Sequence, residues 1–220
     1  IATAFLTHLH SDHTAGLPDL IFTPWVIGRP HPLSIFGPPG LRAMTEHVLK
    51  AWEIDITARI NGLNRHDPGA WKVRAHEISP GPVFEDANIR VTASAAMHEE
   101  MVDSFSFRFD TRDRSIVLSG DTAPTRALIQ HARGCDVLIH EAYPTHETLR
   151  GRPGPEFRRR HHTSAAELAT IASEVRPRLL ITYHRSERER AAPGDVDPVV
   201  SEIRQAYDGD VVAAQDLDLF

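Results

Sequence analysis

Four side chains able to hold a metal fall within six positions near the start of the chain, in His8-Leu9-His10-Ser11-Asp12-His13. Three imidazoles and a carboxylate at that density suit two adjacent divalent ions of borderline softness, zinc above all. His8 and His10 point the same way by the two-residue period of an extended chain, and a turn must then bring Asp12 and His13 round. A dinuclear site needs about three more ligands. Three candidates stand where apolar runs end: His98 after residues 89–96, Asp121 after Ile116-Val117-Leu118, and His184 after Leu179-Leu180-Ile181-Thr182-Tyr183. Gly120, just before Asp121, permits a tight turn and a close approach of backbone to an ion. Singly, each would read as a turn or capping residue; as a set with the opening cluster they read as a metal centre.

The elements that must position these residues follow from hydrophobic period and turn signals. Strands are expected over residues 1–7, 33–36, 71–78, 89–93, 104–109 and 115–119. From there strand and helix alternate: helix 124–132, strand 137–140, helix 164–175, strand 179–183, helix 199–207 and strand 211–213. Earlier helices are expected over 13–22, with an irregular start, and from Leu41 through Met44, Val48 and Leu49. Residues 144–160 read as one long irregular loop rich in Gly, Pro and Arg. The pattern is an α/β chain with mixed strand pairing, and without a linker-like composition break it is expected to form one domain over residues 1–220.

Composition narrows the partners. A formal net charge of −6 over 220 residues argues against general coating of nucleic acid. A single cysteine, Cys135, excludes an internal disulfide and a cysteine-rich zinc module, and reads as a small buried residue entering a strand. No apolar run reaches the 18 residues of a membrane span. The chain opens on Ile1 without an initiator Met, which reads as a processed or truncated product, so a cytoplasmic or exported location is left open. Histidine is the anomaly, at 14 residues concentrated in a few places.

In order along the chain, His8-x-His10-x-Asp12-His13, His98, Asp121, the Glu141 region and His184 resemble the five motifs of the metallo-β-lactamase-fold hydrolases. The resemblance covers nearly the whole chain and implies an αββα four-layer sandwich whose first one or two strands precede Ile1. It implies that His8, His10 and His98 hold one zinc, that Asp12, His13 and His184 hold a second, and that Asp121 bridges the two. Two such ions lower the pKa of a shared water to near 7. Asp121 stands where common zinc β-lactamases carry Cys, which argues against penicillin hydrolysis. His10 stands where flavodiiron members carry Glu, and Met97-His98-Glu99 departs from the Gly-His-Thr of glyoxalase II-like members.

Within the family the chain is most similar to the branch holding the tRNA 3′-end endonuclease ribonuclease Z and zinc-dependent aryl- and alkylsulfatases. The residues carrying this are 6–13 with Gly16-Leu17-Pro18, residues 35–41, Ser119-Gly120-Asp121-Thr122, residues 136–142 and His162-Thr163-Ser164 through Ala169. Ser164-x-x-Glu167 is a capping box, so a helix starts at Ser164 with His162 just outside its positive end. There His162, oriented by Glu141, suits protonation of a leaving oxygen; His161 is an alternative that the resemblance does not favour. Asp12 is a candidate acceptor of the attacking water's proton.

Ribonuclease Z carries a long tRNA-gripping arm between the third histidine and the bridging Asp, whereas here a hairpin over 105–118 fills the interval. Tyr183-His184-Arg185 likewise departs from the ending of the endonucleases. The expected function is therefore a dinuclear zinc hydrolase of small anionic sulfate or phosphate esters. Ribonuclease Z-type tRNA processing is the alternative, with nucleic acid the less favoured partner, and a non-catalytic metal scaffold is a third reading. A homodimer is expected from the branch. Arg150, Arg152, Arg158, Arg159 and Arg160 are candidate anion binders, more commonly a solvated loop, and Trp25, Trp52 and Trp71 line a pocket or the core.

Overall fold

Parallel strands cannot be joined by a tight hairpin, so each parallel pair must be bridged by a crossover that is usually helical. The computed structural model, which describes residues 1–62, 66–101, 103–145, 155–184 and 195–220, follows that rule in two compact units, 1–79 and 80–220. In the first unit, β1 (Thr3–Phe5), β2 (Leu33–Gly37) and β3 (Val73–Glu77) form a three-stranded parallel sheet in that order. The crossovers are α1 (Ser11–Thr14) with α2 (Leu17–Val26), and α3 (Leu41–Ala51) with α4 (Glu53–Asn61).

Period-two alternation sends Ala4, Ile35 and Ala75, which are in register, into a core with Leu17, Ile21, Trp25, Leu41 and Ile56 from the helices. Phe5, Phe36 and His76 alternate to the other face and stack on one another. Trp25 is therefore a core residue, 1% exposed, with its Nε1 donating to the Asp67 carbonyl. Gly40, at φ +95, carries the turn into α3, and the Glu77 carboxylate accepts from the Gly40 and Arg42 amides at 2.9 and 3.1 Å. Those amides begin the helix and have no partner within it.

In the second unit, β4 (Gly81–Glu85), β5 (Ile89–Ala95), β6 (Phe105–Thr111), β7 (Ser115–Leu118), β8 (Val137–Glu141), β9 (Leu179–Tyr183) and β10 (Val211–Ala213) form one sheet in the order β10-β9-β8-β7-β6-β5-β4. Pairing is antiparallel from β4 to β7 and parallel from β7 to β10. Two antiparallel steps make β5 run with β7, so β5, β7, β8 and β9 all point their C-terminal ends to one edge. That edge carries the residues of interest. Helices α5 (Arg126–Ala132), α7 (Ala165–Val175) and α8 (Pro198–Ile203) supply the core beneath it, with Leu128, Leu138, Leu168, Leu180 and Ile203 fully buried. Cys135 is buried as expected, and burial pushes its thiol up to about 11.

Most expected elements are present within a few residues; helix α4 was not expected, and there are other departures. Residues 155–161 form a helix, α6 (Pro155–His161), inside the stretch expected to be loop. The last long helix stops at Ile203 rather than Tyr207. Strand β4 begins Gly81-Pro82, a pair that hides a strand in the sequence but suits an edge, and its register shifts between Pro82 and Phe84. The capping box is present: Ser164 and Glu167 satisfy each other's amides and begin α7. Among the described residues no helix is long and apolar enough to cross a membrane.

Candidate metal centre

In the first unit the chain leaves β1 and brings three imidazoles together. His8 is 1% exposed. Its Nδ1 is bonded to the Thr7 hydroxyl at 3.1 Å, which directs Nε2 outward, and that Nε2 stands 3.2 Å from His10 Nδ1. The His13 ring lies 4.2 Å from the His8 ring, centroid to centroid. The turn is fixed by His10, whose carbonyl accepts from the His13 amide and from the buried Thr14 hydroxyl. Asp12 is exposed, 3.6 Å from His13 Nε2.

In the second unit His98, Asp121, Glu141, His162 and His184 meet at the edge where β5, β7, β8 and β9 end. His98, Asp121 and Glu141 are buried at 4%, 3% and 1% exposure, while His162 and His184 are partly open. Asp121 Oδ2 is 3.3 Å from His184 Nε2. Ligand atoms of His98, Asp121 and His162 all lie within 4.8 Å of one another, as do those of Glu141, His162 and His184. His184 adopts φ +57, a left-handed conformation uncommon for a non-glycine residue. His98 Nδ1 donates to the His161 carbonyl at 2.9 Å, a tautomer in which Nε2 is the atom that could meet an ion.

Glu141 and His162 form the second arrangement at this edge. Glu141 Oε1 is 3.0 Å from His162 Nδ1 and also accepts from the Thr122 amide at 3.1 Å and the Thr163 amide at 3.3 Å. Burial, and then the Asp121 carboxylate beside it, hold the Glu141 carboxyl well above the usual range. Thr122 ties the surrounding loops: its hydroxyl accepts from the Met97 amide at 2.9 Å, and its carbonyl accepts from the Thr163 hydroxyl at 2.7 Å. His140 is kept neutral, its pKa pushed down to about 4 by burial.

The donor chemistry fits a divalent ion. With bonds of about 2.0–2.1 Å at tetrahedral angles, two ligands of one zinc stand about 3.3 Å apart, the spacing found for His8 with His10 and for Asp121 with His184. Imidazole and carboxylate donors without thiolate also admit other first-row ions.

The sequence names Thr122 and Thr163 only within the motifs of Asp121 and His162 and assigns neither a role. It gives no sign of the Glu100–His161 pair, since nothing local marks a loop carboxylate that meets a helix end 61 residues later. Of the described arginines of the basic run, Arg160 is engaged by Glu99 at 2.6 Å and Glu156 at 2.7 Å, Arg158 is buried over the Tyr143 ring, and Arg159 is exposed. Arg150, Arg152 and Arg185 lie outside the described residues. Trp52 is partly exposed and stacks on Phe22.

The chain is similar to known proteins over most of its length. Residues 1–185 match the family described as "Beta-lactamase superfamily domain". A protein named ribonuclease Z from Mycobacterium bovis is 31% identical over 198 residues, 87% of this chain and 62% of that protein. A putative ribonuclease Z from Mycobacterium tuberculosis is 38% identical over 141 residues, 61% of each. The chain thus spans about three-fifths of the length of these curated relatives. Among solved structures, the metallo-beta-lactamase fold protein YhfI from Bacillus subtilis superposes with a TM-score of 0.67 at 18% identity, over 98% of this chain and 75% of that one. Human tRNase Z, short form, gives 0.67 at 23% identity, over 99% and 78%. At these identities the superpositions establish the fold.

Proposed function

Because the chain belongs to the beta-lactamase superfamily, we propose that it is a metal-dependent phosphodiesterase that cuts RNA in the manner of ribonuclease Z. The observation that carries the reading is the Glu141–His162 couple, at 3.0 Å, at the same strand edge as the donors Asp121 and His184. The names of the curated relatives favour RNA over the sulfate and small phosphate esters that the short hairpin suggested, so the order of the two expectations is reversed.

The residues that would hold two zinc ions in this reading are His8, His10, Asp12, His13, His98, Asp121 and His184. Bound divalent ions would supply an acidified water as nucleophile and would offset charge on the phosphoryl oxygens. Glu141 holds His162 by Nδ1, which leaves Nε2 to carry the transferable proton. As water oxygen bonds to phosphorus, the phosphorus bond to the leaving ribose oxygen breaks, and His162 protonates that oxygen. The water's own proton passes to Asp12. Thr122 and Thr163 keep Glu141 from turning away, through the two amides it accepts from.

A leaving group that needs no proton tests this assignment. His162→Ala should slow cleavage of an ordinary RNA phosphodiester by about 10²–10⁴-fold, and most of that loss should vanish when sulfur replaces the bridging leaving oxygen. An equal loss on both substrates would remove His162 from the role.

A further inference from the structure

Helix α6 reverses the usual order of burial. Its cation Arg158 and its imidazole His161 are 8% and 1% exposed, whereas its aromatic residue Phe157 is 41% exposed. The buried cation and imidazole are the informative exception, and their inward turn leaves the ring at the surface. The ring is held flat: Phe157 lies over His161 with centroids 3.9 Å apart and planes 17° from parallel. His161 is itself fixed, its Nδ1 donating to the Phe157 carbonyl at 2.7 Å and its Nε2 paired with Glu100. One face of Phe157 is thus backed by a buried ring, and the centroid of His162, at the helix end, is 6.5 Å away.

We infer that Phe157 is a stacking platform for a nucleobase of single-stranded RNA, the base of the nucleotide whose ribose oxygen His162 protonates. A base sits about one sugar away from the phosphate it flanks, so a flat apolar surface beside the proton donor meets it when the phosphate is placed for cleavage. Stacking on an aromatic face is available to every base, so the platform positions a nucleotide without selecting a sequence. Glu99 and Glu156 hold Arg160, and Arg158 faces Tyr143, so the helix is anchored by its cations and presents its ring. This inference rests on the RNA reading above and names the part of the substrate recognised at that site.

The test compares binding of two labelled single-stranded oligoribonucleotides, one complete and one abasic at the nucleotide before the scissile phosphate. The wild type should bind the complete strand tighter, and in Phe157→Ala that preference should shrink roughly 5- to 150-fold. Phe157→Leu, which keeps an apolar cover on His161, should lose the preference equally, and Phe157→Trp should restore it. A wild type indifferent to the missing base, or a preference unchanged in Phe157→Ala and Phe157→Leu, overturns the platform. Cleavage of the complete strand by the wild type is read in parallel. RNA cut with no dependence on Phe157 sinks the platform alone, whereas a Phe157-dependent preference in a protein that cuts no RNA supports the platform and sinks the proposed activity.

Discussion

Glu141 is the residue whose energetics and role pull against each other. Burial and the neighbouring Asp121 carboxylate raise its folded pKa well above the ordinary carboxyl value. The folded state therefore holds the proton more tightly than the unfolded state does, and stability is greatest at and below the ordinary value. It falls as pH rises from there towards the raised folded value. A cation on Asp121 would remove the second cause and ease the penalty. Glu141→Gln keeps an oxygen for the Thr122 and Thr163 amides but carries no charge. Metal-free Glu141→Gln should consequently match the wild type in urea unfolding near pH 4.5 and become the more stable protein by pH 8. A gap that stays constant between those pH values would show that Glu141 is not strained by its charge. The same substitution should lower turnover, because a neutral amide no longer stabilises a protonated His162.

At the scale of elements, the site depends on where strands stop and on how α7 starts. Ser164 and Glu167 cap α7, and His162 lies two residues before the cap. Removing the cap with Ser164→Ala should cost about 0.5–2 kcal/mol in urea unfolding. It should also lower kcat more than it raises KM, since the loop holding His162 loses its anchor while the rest of the site is intact. A stability loss with unchanged kcat would separate the cap from the proton donor.

The cap, like the strand ends bearing His98, Asp121, Glu141 and His184, was legible because each depends on residues within a few positions of one another. Helix α6 was not, since Pro155-Glu156-Phe157 and the Arg run compose like a loop; its order comes from Glu99, Glu100 and Tyr143, which are remote in sequence. Strand β4 was hidden for the same reason, as a Gly-Pro start becomes a strand only against the edge that β5 offers. The roles of Thr122 and Thr163 are likewise set by tertiary contacts, and no spacing rule would single them out.

At the scale of the whole molecule, charge and topology constrain what the chain can grip. A net charge of −6 repels a polyanion overall, so the proposed cleavage of RNA would need local contacts such as bound ions, the Phe157 ring and single cations to supply the affinity. The hairpin of β6 and β7 lies in the interval between His98 and Asp121. The measurement that bears most directly on the central claim sets the zinc-loaded protein against three substrates under one set of conditions: a precursor tRNA with a 3′ trailer, a bis-aryl phosphate and an aryl sulfate. A metal-dependent ribonuclease should make a single endonucleolytic cut in the RNA, abolished by a chelator, restored by zinc and absent in Asp121→Ala. Turnover of the aryl sulfate with the RNA left intact would contradict that claim.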